Sequence, residues 1–334
     1  MNFRANRERG VESYTKFSVA WHFCQFAAGL WVLGLLLVLG GCATTSAPQT
    51  FVEEPRSGPV PAWTTGRPVV ALVLSGGSAR GFAHIGVIKA LEQAGIAPDL
   101  FVGCSVGSIV AAAYASGMNA RELVDAARSM DNTTLTDFTI PNLGQPFMRG
   151  ELGFVRGQRL QAYVNRLVGT RAIEALPRRL AVVATDLQSG QPVIFTEGNT
   201  GLAVRASSAI PGVFVPPLIG GRLYVDGQVS SPVPVTAARM LGADIVIAVD
   251  ATFPPDHAEI ANTVDVLFQS VTIATQRIKD YELGLASIVI RPDIKTSGQL
   301  ALSDREMLMT EGERAARAAL PVLFNVLGLT NLKP

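Results

Sequence analysis

The chain has 334 residues, 48% of them hydrophobic and 16% charged, with a formal net charge of +1. This length holds one large or two small folded domains with ample core, and the composition excludes a largely disordered chain. Near-neutral charge without a lysine or arginine block excludes an electrostatic nucleic-acid surface.

The first 41 residues differ from the rest. Arg4, Arg7, Arg9 and Lys16 precede an uncharged stretch from Phe17 to Thr50, densest in apolar residues between Leu30 and Leu39. A basic start, an apolar run and then small residues is the layout of a secretory signal. The run ends in Leu39-Gly40-Gly41-Cys42, which resembles a bacterial lipoprotein box. That resemblance implies cleavage before Cys42 and lipid attachment to it. With Ala43 in place of aspartate next, it also implies sorting to the outer membrane, facing the periplasm. The alternative is an uncleaved membrane helix, since Phe17 to Gly41 is long enough to span a bilayer. The expected organisation is a signal over 1–41, a proline-containing tether over 42–66 and a folded domain over 67–330. Removing the signal leaves that domain near neutral. Cys24 falls in the signal and Cys42 is the lipidation candidate, so Cys104 alone remains and no intramolecular disulfide forms.

From Pro68 onward strands alternate with helices. Strands are expected over 69–75, 99–103, 180–186, 192–196, 222–225, 244–250 and 286–291, and helices over 81–95, 106–117, 119–130, 157–168, 232–242, 261–282 and 304–326. Most strands are continuous apolar runs, such as Leu180-Ala181-Val182-Val183-Ala184, which suit a sheet buried on both faces. The expected fold is therefore a three-layer α/β/α sandwich with a mainly parallel central sheet. Residues 131–156, rich in glycine and proline, read as a long surface loop and candidate lid. The two long helices near the C-terminus are expected to pack against the sheet.

Two glycine-rich turns follow the first two strands, where sites form in such sheets. Gly103-Cys104-Ser105-Val106-Gly107 is a G-x-S-x-G turn between strand and helix, a pattern that drives its serine to an exposed tip. Ser105 is thus the candidate nucleophile, with a serine that merely caps the helix as the alternative. Gly76-Gly77-Ser78-Ala79-Arg80-Gly81 lacks both the G-x-G-x-x-G and the P-loop patterns. Its backbone N–H groups are instead candidates for holding an oxyanion. Arg80 either holds this loop, through an ion pair among other contacts, or meets a lipid phosphate. Serine needs a base. His22 lies in the signal, His84 reads as a packed residue, and His257 sits in a loop after a strand. Asp226, at a strand end in Val225-Asp226-Gly227, is the carboxylate alternative; an Asp-Gly turn is its bland reading. Three scattered histidines and no paired cysteines suggest neither a metal site nor a cofactor.

The glycine loop, Gly103–Ser108 and Asp226-Gly227, in that order and spacing, resemble the patatin-like phospholipase family. The segment Ala206-Ser207-Ser208-Ala209-Ile210-Pro211-Gly212, running on to Pro217, is similar to a segment that precedes the aspartate in that family. The resemblance covers about residues 68–250. It implies a Ser105–Asp226 dyad without histidine, an oxyanion loop over Gly76–Gly81 and a membrane lipid or lipid-like ester as substrate. Ser78, Gln228 and Cys104 depart from its commoner residues. Two rival functions stand beside it. One is an α/β-hydrolase esterase that uses Ser105 with His257. The other is an envelope lipoprotein that binds lipid or a partner without turnover.

Overall fold

The computed structural model describes residues 53–59, 63, 66–131, 137, 152–255, 260, 263–294 and 302–329. The expected signal, Cys42, most of the candidate lid and His257 lie outside these residues. Eight strands form one sheet: β1 (Val70–Leu74), β2 (Leu100–Cys104), β3 (Arg179–Asp186), β4 (Pro192–Phe195), β5 (Leu218–Ile219), β6 (Arg222–Asp226), β7 (Ile245–Val249) and β8 (Ile288–Ile290). The order is β5-β6-β3-β2-β1-β7-β8, with β4 also paired to β3. Strands β3, β2, β1, β7 and β8 run parallel; β4, β5 and β6 join antiparallel. The sheet is mainly parallel, as the apolar runs predict.

Alternate residues of those runs sort to opposite faces. Leu72, Leu74, Phe101, Val182 and Ile247 face a large cluster formed with α1 (Phe82–Gln93), α2 (Val106–Ala115), α3 (Ala120–Ser129), α4 (Gln158–Leu167), α5 (Thr200–Ser207) and α8 (Arg305–Val326). Ala71, Val73, Val102, Val183 and Ala248 face a smaller one with α6 (Val235–Met240) and α7 (Thr263–Gly284). Both layers exclude water from the sheet, so the structure is the expected α/β/α sandwich.

Two elements differ from expectation. Strand β5 has two residues, below any readable pattern. Helix α5 contains Thr200 and Gly201, which weaken a helical reading. Gly201 is nonetheless required there: a Cβ would come 2.4 Å from both Gln161 O and Asn165 Oδ1 of α4. Asn199 caps α5 by accepting the Leu202 N–H at 2.8 Å. The glycine loop also contains a 3-10 turn at Ser78–Gly81 before α1 starts.

The long C-terminal helix packs on α1 rather than flat on the sheet, through two facing glycines. A Cβ on Gly86 would lie 1.8 Å from Met309 O, and one on Gly312 1.9 Å from Ala83 O. Backbone cannot yield as a side-chain tip can, so the two helix backbones come this close because glycine stands at both positions. Gly312→Ala is therefore expected to destabilise the fold by about 1–3 kcal/mol through overpacking. Chemical denaturation measures this, and an unchanged unfolding midpoint would contradict the packing.

Candidate active site

The carboxyl ends of β1, β2 and β6 deliver the three candidate segments to one place. The β2 strand ends at Cys104, and Ser105 follows at φ 50°, ψ −127° before α2 begins. A non-glycine residue there is strained, and the surroundings must hold it. They do so by close packing: a Cβ on Gly107 would lie 2.3 Å from Leu74 O, and one on Gly103 2.4 Å from Ser108 Cα. Ser207 Oγ accepts the Ser105 N–H at 2.8 Å and donates to Val183 O at 2.6 Å. Ser207 lies in the segment that resembles the family ahead of its aspartate, but its role as partner of the Ser105 N–H is visible only in the fold.

Asp226 ends β6, which is antiparallel to β3 and pairs Ala184 with Asp226. Its Oδ2 accepts the Ser105 hydroxyl at 2.7 Å, and its Oδ1 accepts the Gln228 N–H at 2.8 Å. Asp226 N–H donates to Ala209 O, and Thr185 Oγ1 donates to the Asp226 carbonyl, both at 2.9 Å. Asp226 is 4% exposed and Ser105 7%. The serine is thus buried rather than exposed at a tip, because Asp226 and the glycine loop close around it. Burial pushes the Asp226 carboxyl up to about 6, against the pull of its bonds from Ser105 and Gln228 toward the anion. The buried Cys104 thiol lies behind it, with Sγ 4.0 Å from Oδ1; burial pushes that thiol well up.

Gly76 stands beside the serine: a Cβ there would lie 3.4 Å from Ser105 Cβ and 2.4 Å from Gln228 Oε1. Its own N–H donates to Pro232 O at 3.2 Å, and the Arg80 N–H donates to Gly77 O at 3.0 Å. Among the described residues no acceptor is found for the N–H groups of Gly77, Ser78 and Ala79. Of the expected donors Gly76, Gly77, Ser78, Ala79, Arg80 and Gly81, the N–H groups of Gly76 and Arg80 are thus engaged within the protein. Gly77, at φ 145°, runs against the Ala251 carbonyl, whose oxygen would be 2.3 Å from a Cβ. Gly81 lets the loop close on Val106, whose methyls would be 2.4 Å from a Cβ. Ser78 takes φ 50°, where glycine is more common.

The Arg80 guanidinium is buried and donates to Ala251 O at 2.9 Å and Ile294 O at 3.0 Å, above the Phe253 ring. It holds the loop and does not present itself to a phosphate. Burial lowers it to about 10, while Asp250 and Asp293 favour the cation, so it stays charged at neutral pH. His84 places Nε2 2.9 Å from Ser75 O and is fully buried, which lowers it to about 4. It packs behind the loop as a neutral ring, away from the Ser105–Asp226 contact.

Two stability effects follow. Because the folded state raises the Asp226 pKa from 3.8 to about 6, ionising it opposes folding. The penalty sets in above the unfolded value, is complete above about pH 6 and is on the order of 2–3 kcal/mol. Asp226→Asn, which satisfies the same two neighbours, is expected to melt higher than wild type at pH 8, with the gap closing toward pH 4. Equal melting temperatures at pH 8 would contradict it. At Ser78, relief of left-handed strain of about 1 kcal/mol competes with the extra chain entropy of glycine, about 0.5–1 kcal/mol. Ser78→Gly is expected to melt at or above wild type; a loss beyond about 1 kcal/mol would contradict the strain.

The patatin-like phospholipase family model matches residues 72–239, half of the chain. An uncharacterized NTE family protein of Mycobacterium tuberculosis is 32% identical over 279 residues, covering 75% of this chain and 46% of that protein. Patatin-like phospholipase domain-containing protein 6 of Mus musculus is 35% identical over 184 residues, covering 54% of this chain and 13% of that one. The chain thus spans less than half the length of these relatives. The crystal structure of VipD from Legionella pneumophila aligns with a TM-score of 0.42 at 15% identity, over 81% of this chain and 70% of that one. The matched residues take in both glycine turns and Asp226, and the chain belongs to the patatin-like phospholipase family.

Proposed function

We propose that this chain is a serine lipid acyl hydrolase, of phospholipase A, lysophospholipase or esterase type, with Ser105 as nucleophile and Asp226 as its general base. The observation that carries this reading is the buried 2.7 Å hydrogen bond from Ser105 Oγ to Asp226 Oδ2. It pairs a strained strand-to-helix serine with a carboxylate whose pKa lies near the working pH of a base. Family membership supports a lipid ester as substrate.

The steps follow from the parts. Asp226 takes the Ser105 proton as Oγ attacks the ester carbonyl carbon, and the carbonyl electron pair moves onto oxygen. The N–H groups of Gly77 and Ser78 receive that oxyanion; losing one such donor typically lowers kcat by about a hundredfold or more. The tetrahedral species expels the alcohol or lysolipid, which takes the proton from Asp226. Water, giving a proton back to Asp226, then attacks the acyl-enzyme, and the fatty acid leaves as Ser105 regains its proton. Asp226 must be ionised to begin, so it contributes a rise in kcat/KM through about pH 6.

A panel of phospholipids and short-chain esters, assayed in detergent, tests this. Ser105→Ala and Asp226→Asn are each expected to lower kcat/KM by about a thousandfold or more, while His257→Ala stays near wild type. Activity lost in His257→Ala and kept in Asp226→Asn would contradict the assignment in favour of a Ser105–His257 esterase. A folded wild type that turns over none of these esters would favour a binding role.

The reading extends to placement. Leu39-Gly40-Gly41-Cys42 supports a lipid anchor at Cys42 in a bacterial envelope, with the tether carrying the domain on the periplasmic side of the outer membrane. Cys42→Ser is expected to abolish palmitate labelling and to move the protein out of the membrane fraction. Labelling retained in that variant would contradict the anchor.

A further inference from the structure

A second buried carboxylate lies one layer behind the proposed site. Glu282, in the last turns of α7, is 3% exposed. Its Oε1 accepts the Ser231 hydroxyl at 2.7 Å and its Oε2 the Val233 N–H at 3.3 Å. These two donors flank Pro232, whose carbonyl accepts the Gly76 N–H. The same segment is tied back toward Asp226. Ser230 and Ser231 N–H groups both donate to Gly227 O, and Ser230 Oγ meets Thr185 Oγ1 at 2.8 Å. One carboxylate therefore spans the link between the glycine loop and the strand end that bears Asp226.

We propose that Glu282 is a positioning residue for the reaction: its carboxylate fixes the Ser231–Val233 turn, so that the Pro232 carbonyl holds Gly76, and with it the Gly77 and Ser78 N–H groups, in register with Ser105. This rests on the hydrolase reading above. The physical basis is donor count. An ionised carboxylate accepts from both the Ser231 hydroxyl and the Val233 N–H, whereas a protonated one presents a hydrogen that the Ser231 hydroxyl accepts only by reversing its bond. Burial raises Glu282 to about 7, against bonds from Ser231, Val233 and Thr236 that favour the anion. The clamp is thus intact above that pH and loosens below it.

Neighbouring charges leave Glu282 to titrate by itself. Lys279, one turn back on α7, donates to Thr252 Oγ1. Arg239 of α6 is engaged with the carbonyls of Ala243, Asp244 and Leu285. The Cys104 thiol, on β2, is the titratable group that feels Glu282, and the Asp226 shift arises from burial and its own hydrogen bonds.

The test is kcat and KM from about pH 4.5 to 9 on a soluble p-nitrophenyl ester, a range that brackets both carboxyl groups, for wild type, Glu282→Gln, Ser231→Ala and Ser105→Ala, with melting curves to confirm folding. Wild type is expected to show two ionisations on the acid side, near 6 and near 7. Glu282→Gln is expected to lose the upper one and about tenfold in kcat at pH 8, with KM little changed. Ser231→Ala, which removes one bond favouring the anion, is expected to move the upper ionisation to higher pH, and it carries the test alone if Glu282→Gln does not fold. An active wild type with a dead Ser105→Ala variant, but with both ionisations kept in Glu282→Gln or unmoved in Ser231→Ala, would overturn the positioning role alone. A folded wild type without turnover would overturn the hydrolase reading and this proposal with it.

Discussion

The hydrogen bond between Ser105 and Asp226 joins groups 121 residues apart in the chain, and the rest of the fold is arranged around that closure. It requires that the ends of β2 and β6 meet along the same edge of β3, with β4 on the other edge. Parallel pairing sets Cys104 against Val183, and antiparallel pairing sets Asp226 against the next residue, Ala184, on the same edge of β3. A one-residue slip in either ladder would turn the side chains to opposite faces of the sheet. Ser207 reinforces the closure by bonding both Ser105 N–H and Val183 O. Register, more than any single contact, brings nucleophile and carboxylate together.

The electrostatic character of the site comes from the burial of its carboxylate. Asp186, on β3 beside β6, shows the contrast. Two bonds from the Arg222 guanidinium and two backbone N–H groups hold its carboxyl well below the usual range. Asp226 receives one hydroxyl and one N–H inside the core, and burial dominates. Two aspartates on adjoining strands are thus driven in opposite directions by their surroundings. Only the second has a pKa suited to exchanging protons near neutrality.

Much of this is legible in the sequence. Continuous apolar runs such as Ile245-Val246-Ile247-Ala248-Val249 predict a sheet buried on both faces, and alternate residues do line two clusters. Glycine at 76, 77, 103 and 107 marks places where backbone meets backbone or side chain at distances no Cβ allows. What escapes depends on distant partners. Helix α5 forms although Gly201 weakens it, because α4 packs where a side chain would stand. Glu282 looks like any polar residue on a helix until Ser231 and Val233 are brought against it. The burial of Ser105 likewise follows from segments that close over it, which a local turn pattern does not contain. Gly76 fits the loop pattern, yet its N–H is spent on Pro232, so the pattern overstates the number of available donors.

Activation of Ser105 by Asp226 can be tested without knowledge of the natural lipid, by intact-mass measurement after incubation with a fluorophosphonate, followed by peptide mapping. A single adduct on Ser105 is expected in wild type, absent in Ser105→Ala and formed far more slowly in Asp226→Asn. Folded wild type that stays unlabelled, or an Asp226→Asn variant labelled at the wild-type rate, would show that the pair does not act as nucleophile and base.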